Sequence, residues 1–181
     1  MPRASWRLLF VLLAGLFAFP SLAQEAPAPP GDPPVSTEAA NKALVRRYVD
    51  EVLSAGKLEL LDEMVAPEYV DRTPGVPDRG RGPAALRAAQ QQMRRLFSQI
   101  RYTLESLVAE GDEVAARYTV RAIRPGEGAD AGRTVTVTGI TLFRIVDGRI
   151  RETWIVNDQL GMFQQLGYRL QEPEAKNEPT P

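Results

Sequence analysis

The spacing of apolar residues along this chain changes from a helical period to a strand period near Ile100. Before that point, apolar side chains recur every three or four residues, as on one face of a helix. After it, apolar and polar residues alternate, which is typical of strands with one buried face. We predict strands at residues 100–110, 113–124, 133–146 and 149–157. Because no helical pattern separates them, they indicate an antiparallel meander in an α+β fold and disfavour a parallel α/β fold.

Helical segments precede the meander. The first is predicted to begin near Ser36 or Thr37 and to end at Gly56, because glycine suits the left-handed residue after a helix. The second covers residues 58–65, and the third begins at Pro83, since proline is favoured in the first turn of a helix. We expect these helices to pack on the concave face of a curved antiparallel sheet. The result would be a cone-shaped α+β barrel whose interior is the natural pocket.

The third predicted helix is amphipathic. A loop rich in proline and glycine, residues 73–82, separates it from a brief predicted strand at residues 69–72. This loop either forms part of the rim of the pocket or is a simple turn. The apolar side chains of the helix share one face and are expected to point inward: Leu86, Ala89, Met93, Leu96 and Phe97.

Both ends of the chain are predicted to lie outside the folded domain. A basic start, an apolar run over residues 8–19 and small residues at the two positions that a signal peptidase reads describe a secretory signal peptide at residues 1–23. An uncleaved membrane anchor is the alternative. Residues 24–35 predict a proline-rich extended linker, residues 36–170 one folded domain, and residues 171–181 a disordered tail. The protein is therefore expected to be periplasmic or secreted.

The chain contains neither cysteine nor histidine among its 181 residues. Disulfide bonds, cysteine nucleophiles and Ser-His-Asp triads are therefore excluded, and zinc, copper and non-haem iron sites lose their usual ligands. The formal net charge of −1 gives no electrostatic reason to bind nucleic acid, or a membrane after signal cleavage. Proton transfer in this protein must use Asp, Glu, Tyr, Lys or water.

The segment that closes the folded domain is the most informative for function. An Asp-Gly pair at residues 147–148, between alternating apolar runs, predicts a type I′ hairpin turn with positive φ at both residues. Asp158 follows the end of the next strand and precedes a short apolar helix. Its carboxylate either points into the space that the fold encloses or caps that helix. The strand itself places alternate residues on one face: Glu152, Trp154 and Val156.

Three segments occur in an informative order: LDEMVAPEYVD at residues 61–71, GRTVTVTG at residues 132–139, and the closing block that ends in QQLG at residues 164–167. Together they resemble the SnoaL-like polyketide (ester) cyclases of the nuclear transport factor two-like superfamily, which consists of cone-shaped α+β barrels. The resemblance extends from about Asn41 to Tyr168. Because this superfamily contains both enzymes and non-enzymatic binding proteins, membership alone does not fix a function.

The resemblance implies a reaction without metal or organic cofactor. In cyclases of this kind, one aspartate acts as a general base on the carbon alpha to a carbonyl, and the enolate closes a ring by intramolecular aldol attack. The position that matches this aspartate is Asp158. The expected ligand is a small lipophilic carbonyl compound, and the alternative function is a non-catalytic periplasmic binding protein of the same fold. A homodimer is expected, because open sheets of this superfamily often pair face to face.

Further residues are candidates for substrate binding, and each has a structural alternative. Trp154 can stack on a flat substrate or pack in the core, and Glu152 matches an acidic family residue but also suits an ion pair. Arg72 fits either an anion clamp or an ion pair, and Met93 is expected to face the pocket. Four tyrosines can donate a hydrogen bond to an enolate or serve as packing: Tyr48, Tyr69, Tyr102 and Tyr118.

Two positions depart from the family pattern. Many members carry histidine where this chain has Arg72 and Thr153. The departure removes two polar groups that could orient a substrate or transfer a proton. It favours a different substrate, or binding without catalysis.

Overall fold

The computed structural model describes residues 37–75, 80–129 and 131–171. The predicted signal peptide, the predicted linker and most of the predicted tail lie outside these residues. Within the described part of the chain, none of the helices combines the length and the apolar character needed to cross a membrane.

A five-stranded sheet forms the centre of the fold. Its strands are β1 (Val65–Asp71), β2 (Ser98–Glu110), β3 (Glu113–Ile123), β4 (Thr134–Val146) and β5 (Arg149–Asn157). They lie side by side in the order β1-β5-β4-β3-β2. The meander from β2 to β5 is antiparallel, and each strand ends within about two residues of its predicted limits. The pairing of β1 with β5 is parallel, which the alternating pattern did not predict.

Helices cover the concave face of this curved sheet, which confirms the predicted α+β cone. A π-helical segment, Tyr48–Ser54, continues the first helix, and a short 3₁₀ turn, Leu58–Leu60, precedes the second. The α-helices are α1 (Thr37–Arg47), α2 (Leu61–Met64), α3 (Gly82–Leu96) and α4 (Gln159–Gln165).

Two local features differ from the predicted elements. The first helix reaches its predicted end near Gly56, where φ is +81°, but it widens from α to π geometry at Tyr48. Segments of this geometry are rare and often occur at functional sites. The second helix is shorter and the first strand longer than predicted, because β1 already begins at Val65 and runs through Pro67. An edge strand tolerates proline, since one side of its backbone needs no partner.

The β4–β5 hairpin confirms the predicted type I′ turn. Asp147 has a φ of +51° and Gly148 a φ of +70°, so both turn residues are left-handed. β4 then alternates strictly between buried and outward side chains along its length. The buried set faces the helices and includes Val137, Thr141 and Phe143.

Two apolar clusters lie beneath the helices. The larger joins Val49 and Val52 of the π-helical segment to Leu61 of α2 and Ile150 of β5, and all four are almost fully buried. Fully burying each such side chain contributes about 1.5–3 kcal/mol. The smaller cluster lies at the α4 end of the sheet and contains five buried residues: Phe97, Ile100, Ala122, Val135 and Leu166. Each cluster forms part of the wall of one cavity.

Arg94 of α3 fixes the end of the π-helical segment. Its Nη2 donates hydrogen bonds to the carbonyl oxygens of Val52, at 3.1 Å, and Leu53, at 2.8 Å. Carbonyls at the end of a helix lack partners within the helix, so an external donor is needed. A Cβ at Gly56 would lie 2.8 Å from Arg94 Cζ, so this approach requires glycine. Arg94 thereby joins α3 to the segment that begins at Tyr48.

We predict that Arg94→Met lowers the free energy of unfolding by about 2 kcal/mol, because two charge-assisted hydrogen bonds to carbonyl oxygens are lost. Urea denaturation followed by circular dichroism measures the change. Arg95→Met is the matched control, since the Arg95 guanidinium contacts Gln92 of its own helix. Equal stability of the two variants would contradict the assigned role of Arg94.

Candidate functional site

A cavity of about 210 Å³ lies between α3 and the inward face of the sheet, and it is called the deep cavity below. Its wall contains side chains from β1, β4 and β5, from α3 and from the π-helical segment. Apolar and aromatic residues predominate, and hydroxyl and amide groups supply the polar surface. Of the described residues that line it, Asp71 is the only charged one. The described part of the cavity wall is therefore almost uncharged and contains one carboxylate.

Asp71 reaches this wall because it is the last residue of β1. In the parallel pairing with β5 it stands in register with Thr153. One carboxylate oxygen, Oδ1, accepts a hydrogen bond from the backbone N–H of Thr73 at 2.9 Å, which fixes the side chain. The residue is only partly exposed. Oδ2 has no hydrogen-bond partner among the described residues, so it remains available to a ligand.

Four tyrosines line the deep cavity, and two of them have protein partners. The Tyr69 hydroxyl lies 2.7 Å from Oγ1 of Thr153. The Tyr118 hydroxyl donates to Oδ1 of Asn157 at 2.8 Å and lies 3.2 Å from Oγ1 of Thr141. These hydroxyls are engaged with the wall of the cavity.

The other two tyrosines, Tyr48 and Tyr102, have hydroxyl groups without a hydrogen-bond partner in the described part of the chain. Burial raises the pKa of Tyr48 well above its usual value, with smaller contributions from the neighbouring tyrosines and Asp71. Burial likewise raises the pKa of Tyr102 to about 12. Both hydroxyls therefore keep their protons at neutral pH and can donate them in hydrogen bonds.

Gly139 of β4 makes room for the Asn157–Tyr118 hydrogen bond. A Cβ at this position would overlap Oδ1 of Asn157 and would lie 2.9 Å from the Tyr118 hydroxyl. Glycine inside a strand often marks such a close approach. Glycine at this position of β4 therefore leaves room for the side chain of Asn157, on β5, to contact Tyr118, on β3.

The structure brings together four of the predicted substrate-binding residues at the deep cavity: Tyr48, Tyr69, Tyr118 and Met93. It also adds residues that the sequence analysis did not select. Asp71 carries the same signal that drew attention to Asp158, a carboxylate where a strand ends. Asn157 and Thr153 are found by counting every second residue along β5. No group of three or more carboxylates is arranged to hold a metal ion in the described residues.

Trp154 and Glu152 lie on the other face of the sheet, which corrects their expected place in the pocket. Trp154 pairs with Leu142 of β4, and Glu152 pairs with Arg144 of β4. The side chains of Leu142 and Arg144 both face outward. Successive side chains of a strand point to opposite faces, so the inward set of β5 contains Thr153 instead. The shared face predicted for Glu152 and Trp154 is therefore the convex one.

Arg72 also lies away from the deep cavity, because its guanidinium pairs with Glu152. Its Nη2 lies 2.8 Å from Oε1 of Glu152, and Nη1 of Arg144 lies 3.6 Å from Oε2. The ion-pair alternative thus describes both Arg72 and Glu152. The hydrogen bond from Arg72 holds the pKa of Glu152 below its usual range, and Arg144 acts in the same direction.

Asp158 lies at the protein surface and caps α4. Its Oδ1 accepts a hydrogen bond from the backbone N–H of Gly161 at 2.8 Å, and a Cβ at Gly161 would overlap the carboxylate. Its two neighbours in sequence, Asn157 and Gln159, line the deep cavity, whereas Asp158 does not. The geometry is that of the N-cap, one of the two alternatives that the sequence left open.

We predict that Glu152→Gln lowers the free energy of unfolding by about 1 kcal/mol at pH 7, since the Glu152 side chain is only 14% exposed but its arginine partners are about half exposed. A carboxyl whose folded pKa is depressed stabilises the fold above its unfolded pKa, and the effect is lost as pH falls through the folded pKa. The difference between wild type and variant should therefore begin to shrink as pH falls below about 4.5 and should disappear once pH is below the depressed folded pKa of Glu152.

Denaturation at a series of pH values measures this effect. Glu68→Gln is the control, because the Glu68–Arg151 pair also joins β1 to β5 but both side chains are well exposed. A difference for Glu152→Gln that persists at low pH would contradict the ion-pair account.

Comparisons with known proteins agree with this fold. Residues 43–166 match the family model described as SnoaL-like polyketide cyclase. The chain is 35% identical over 139 residues to the aklanonic acid methyl ester cyclase DauD of Streptomyces sp. (strain C5), covering 73% of this chain and 84% of DauD. The corresponding cyclase DnrD of Streptomyces peucetius is also 35% identical over 139 residues, covering 73% of this chain and 94% of DnrD. TsrD of Streptomyces laurentii has a similar structure, with a TM-score of 0.63, 31% identity and coverage of 73% and 98%.

Proposed function

This chain belongs to the SnoaL-like polyketide cyclase family, and we propose that it catalyses a cofactor-free ring closure on a small, neutral, lipophilic carbonyl compound. The reaction begins with removal of a proton from the carbon alpha to a carbonyl. The observation that supports the proposal is that Asp71 is the one carboxylate among the described residues of a tyrosine-lined cavity.

Asp71 is the general base in this proposal. One oxygen is held by the N–H of Thr73, and the other has no partner in the described part of the chain. A positioned base of this kind typically accelerates proton transfer by about 10²- to 10⁴-fold. Asp158 matches the family base by sequence position, but it is exposed and its Oδ1 is engaged by its own helix. Asp71 is therefore favoured over Asp158.

Tyr48 stabilises the enolate. Its hydroxyl has no partner among the described residues, and its raised pKa keeps it protonated. An aspartate base combined with a tyrosine donor in an apolar site is an established arrangement for cofactor-free carbon-acid chemistry. A donor placed where negative charge develops typically contributes about 10²- to 10³-fold.

The reaction balances without an external reagent. Asp71 takes the proton, and the electron pair of the C–H bond forms the enolate, whose oxygen accepts the hydrogen bond from Tyr48. The enolate carbon attacks a second carbonyl carbon of the same molecule, so that a C–C bond forms and the second carbonyl becomes an alkoxide. Asp71 returns its proton to this alkoxide. The product is a cyclic isomer of the substrate.

The charge of the cavity wall favours a neutral substrate. Among the described residues, no lysine or arginine lines the deep cavity, so a free carboxylate on the ligand would meet Asp71 without a compensating cation. Burial of an unpaired charge is costly. A ketone or an ester meets no such penalty, and the relatives DauD and DnrD are named for action on a methyl ester. Neutral keto esters are therefore the proposed substrate class.

We predict that Asp71→Asn slows the exchange of the alpha protons of 1-tetralone for deuterium by at least about 100-fold relative to wild type. Proton NMR follows the exchange, with the uncatalysed rate subtracted. Asp158→Asn is the matched control, since asparagine caps a helix about as well as aspartate. It should retain the wild-type rate and stability.

The two variants distinguish three outcomes. Loss of exchange in Asp71→Asn alone supports the proposal. Loss in Asp158→Asn alone, with stability unchanged, would identify Asp158 as the base and contradict the assignment to Asp71. Absence of exchange in the wild type would favour a binding protein without turnover.

A second prediction concerns pH. The exchange rate should remain flat from pH 7 to pH 10, because the pKa of Tyr48 is raised well above its usual value and its hydroxyl remains a donor throughout this range. A donor with a raised pKa is lost only at pH values above that pKa. With no histidine in the chain, no inflection is expected near pH 6.5. A fall in rate between pH 8 and pH 10, without unfolding by circular dichroism, would contradict the role of Tyr48.

A further inference from the structure

A second cavity of about 240 Å³, called the apolar cavity below, adjoins the deep cavity. It lies beneath α4, where its wall includes Phe97, Ile100, Val135 and Met162. None of the described residues that line it is charged. Five residues line both cavities and form their common boundary: Met93, Tyr102, Tyr118, Asn157 and Gln159.

The sizes of the cavities indicate that they act together. Small-molecule sites typically occupy about 300–1,000 Å³, so each cavity alone is small for a complete ligand. The two cavities share five lining residues, so one ligand can extend from the deep cavity into the apolar cavity.

Tyr102 and Tyr118 stand side by side at this boundary. Their ring centroids are 5.4 Å apart and the rings are tilted by 58°. The backbone N–H of Tyr102 donates to Oγ of Ser54 at 3.1 Å, which anchors this part of β2 to the helical layer. The two hydroxyls differ, because that of Tyr118 donates to Asn157, whereas that of Tyr102 has no partner among the described residues.

We infer that the apolar cavity is a second ligand subsite, in which the Tyr102 hydroxyl donates a hydrogen bond to an acceptor on an otherwise apolar ring system. The ligand class is a neutral bicyclic or larger ring compound with a ketone, ester or ether oxygen on its distal part. The inference deepens the proposed function and rests on it, since the reacting carbonyl of the same ligand lies in the deep cavity.

The physical reason lies in the cost of an unpaired donor. A hydroxyl that loses water on ligand binding and gains no acceptor is unsatisfied, whereas an acceptor at the right place restores its hydrogen bond. Sites that contain such a donor reject analogues that lack the acceptor. Tyr102 therefore selects among ligands of equal shape by the oxygen they carry.

The test compares two probes of similar shape, 2-acetylnaphthalene and 2-ethylnaphthalene, on the full chain. Wild type should bind the ketone about tenfold more tightly than the hydrocarbon, the ratio expected from one buried hydrogen bond. Tyr102→Phe should abolish this ratio and leave the affinity for the hydrocarbon unchanged. Tyr118→Phe is the matched control and should preserve the ratio, because its hydroxyl is engaged with Asn157 and Thr141.

Methyl-labelled methionine locates the probes. Met162 lines only the apolar cavity, and Met64 is buried in the larger apolar cluster. The NMR signal of the Met162 methyl should shift on addition of either probe, and that of Met64 should not. A shift at Met64 alone, or no shift, would overturn the subsite.

The same experiment separates this inference from the proposed function. A ratio near one in wild type, or a ratio that survives in Tyr102→Phe, would overturn the role of Tyr102. Neither result would alter the exchange of 1-tetralone, which depends on Asp71. Conversely, if Asp71→Asn exchanged 1-tetralone as fast as wild type, the catalytic proposal would fail, but the ratio of ketone to hydrocarbon affinity would be unchanged.

Discussion

The parallel pairing of β1 with β5 holds the site together. It joins residues that are about 80 positions apart in sequence and brings the end of β1 beside Thr153. The two faces of this pairing are secured by different interactions. Inside, the Tyr69 hydroxyl contacts Thr153 at 2.7 Å, and outside, Arg72 pairs with Glu152 at 2.8 Å. Asp71 lies between these contacts and is therefore held in the cavity wall by bonds on both sides of the sheet.

The polar groups of the site differ in whether they already have partners. The hydroxyls of Tyr69 and Tyr118 form hydrogen bonds within the cavity wall. Gly139 of β4 leaves room for the hydrogen bond of Tyr118. Tyr48 and Tyr102 instead retain donors for a ligand. This division separates residues that maintain the shape of the cavity from residues that can recognise what enters it. It follows from contacts across strands, so residue type alone does not reveal it.

Local patterns predicted the meander, the type I′ turn, the limits of the first helix and the start of the third, because each depends on residues close in sequence. Features that depend on distant residues escaped prediction. The partner of β1 is chosen by the sheet as a whole, and the π-helical segment is held by Arg94 from another helix. Alternation also assigned Glu152 and Trp154 to one face without showing which face it was. Those two residues lie outside, and Thr153 lies inside.

Asp158 shows how one residue can satisfy two interpretations of a sequence. The family match marks it as a base, and its place before α4 marks it as a cap, a role its hydrogen bond to Gly161 fulfils. Asp71 is a candidate because the end of β1 lines the deep cavity. Sequence similarity identifies the family, whereas the proposal of Asp71 as the base rests on how the strands enclose the cavity.

Asp71 is the one carboxylate in the deep cavity, and the other described lining residues are uncharged. The most direct measurement is the affinity of the wild-type chain and of Asp71→Asn for methyl 2-naphthoate and for the 2-naphthoate anion at pH 7. The ester should bind wild type at least about tenfold more tightly than the anion, and Asp71→Asn should narrow the difference, because a like charge at close range is removed. Equal affinity in wild type, or an unchanged difference in the variant, would contradict the account.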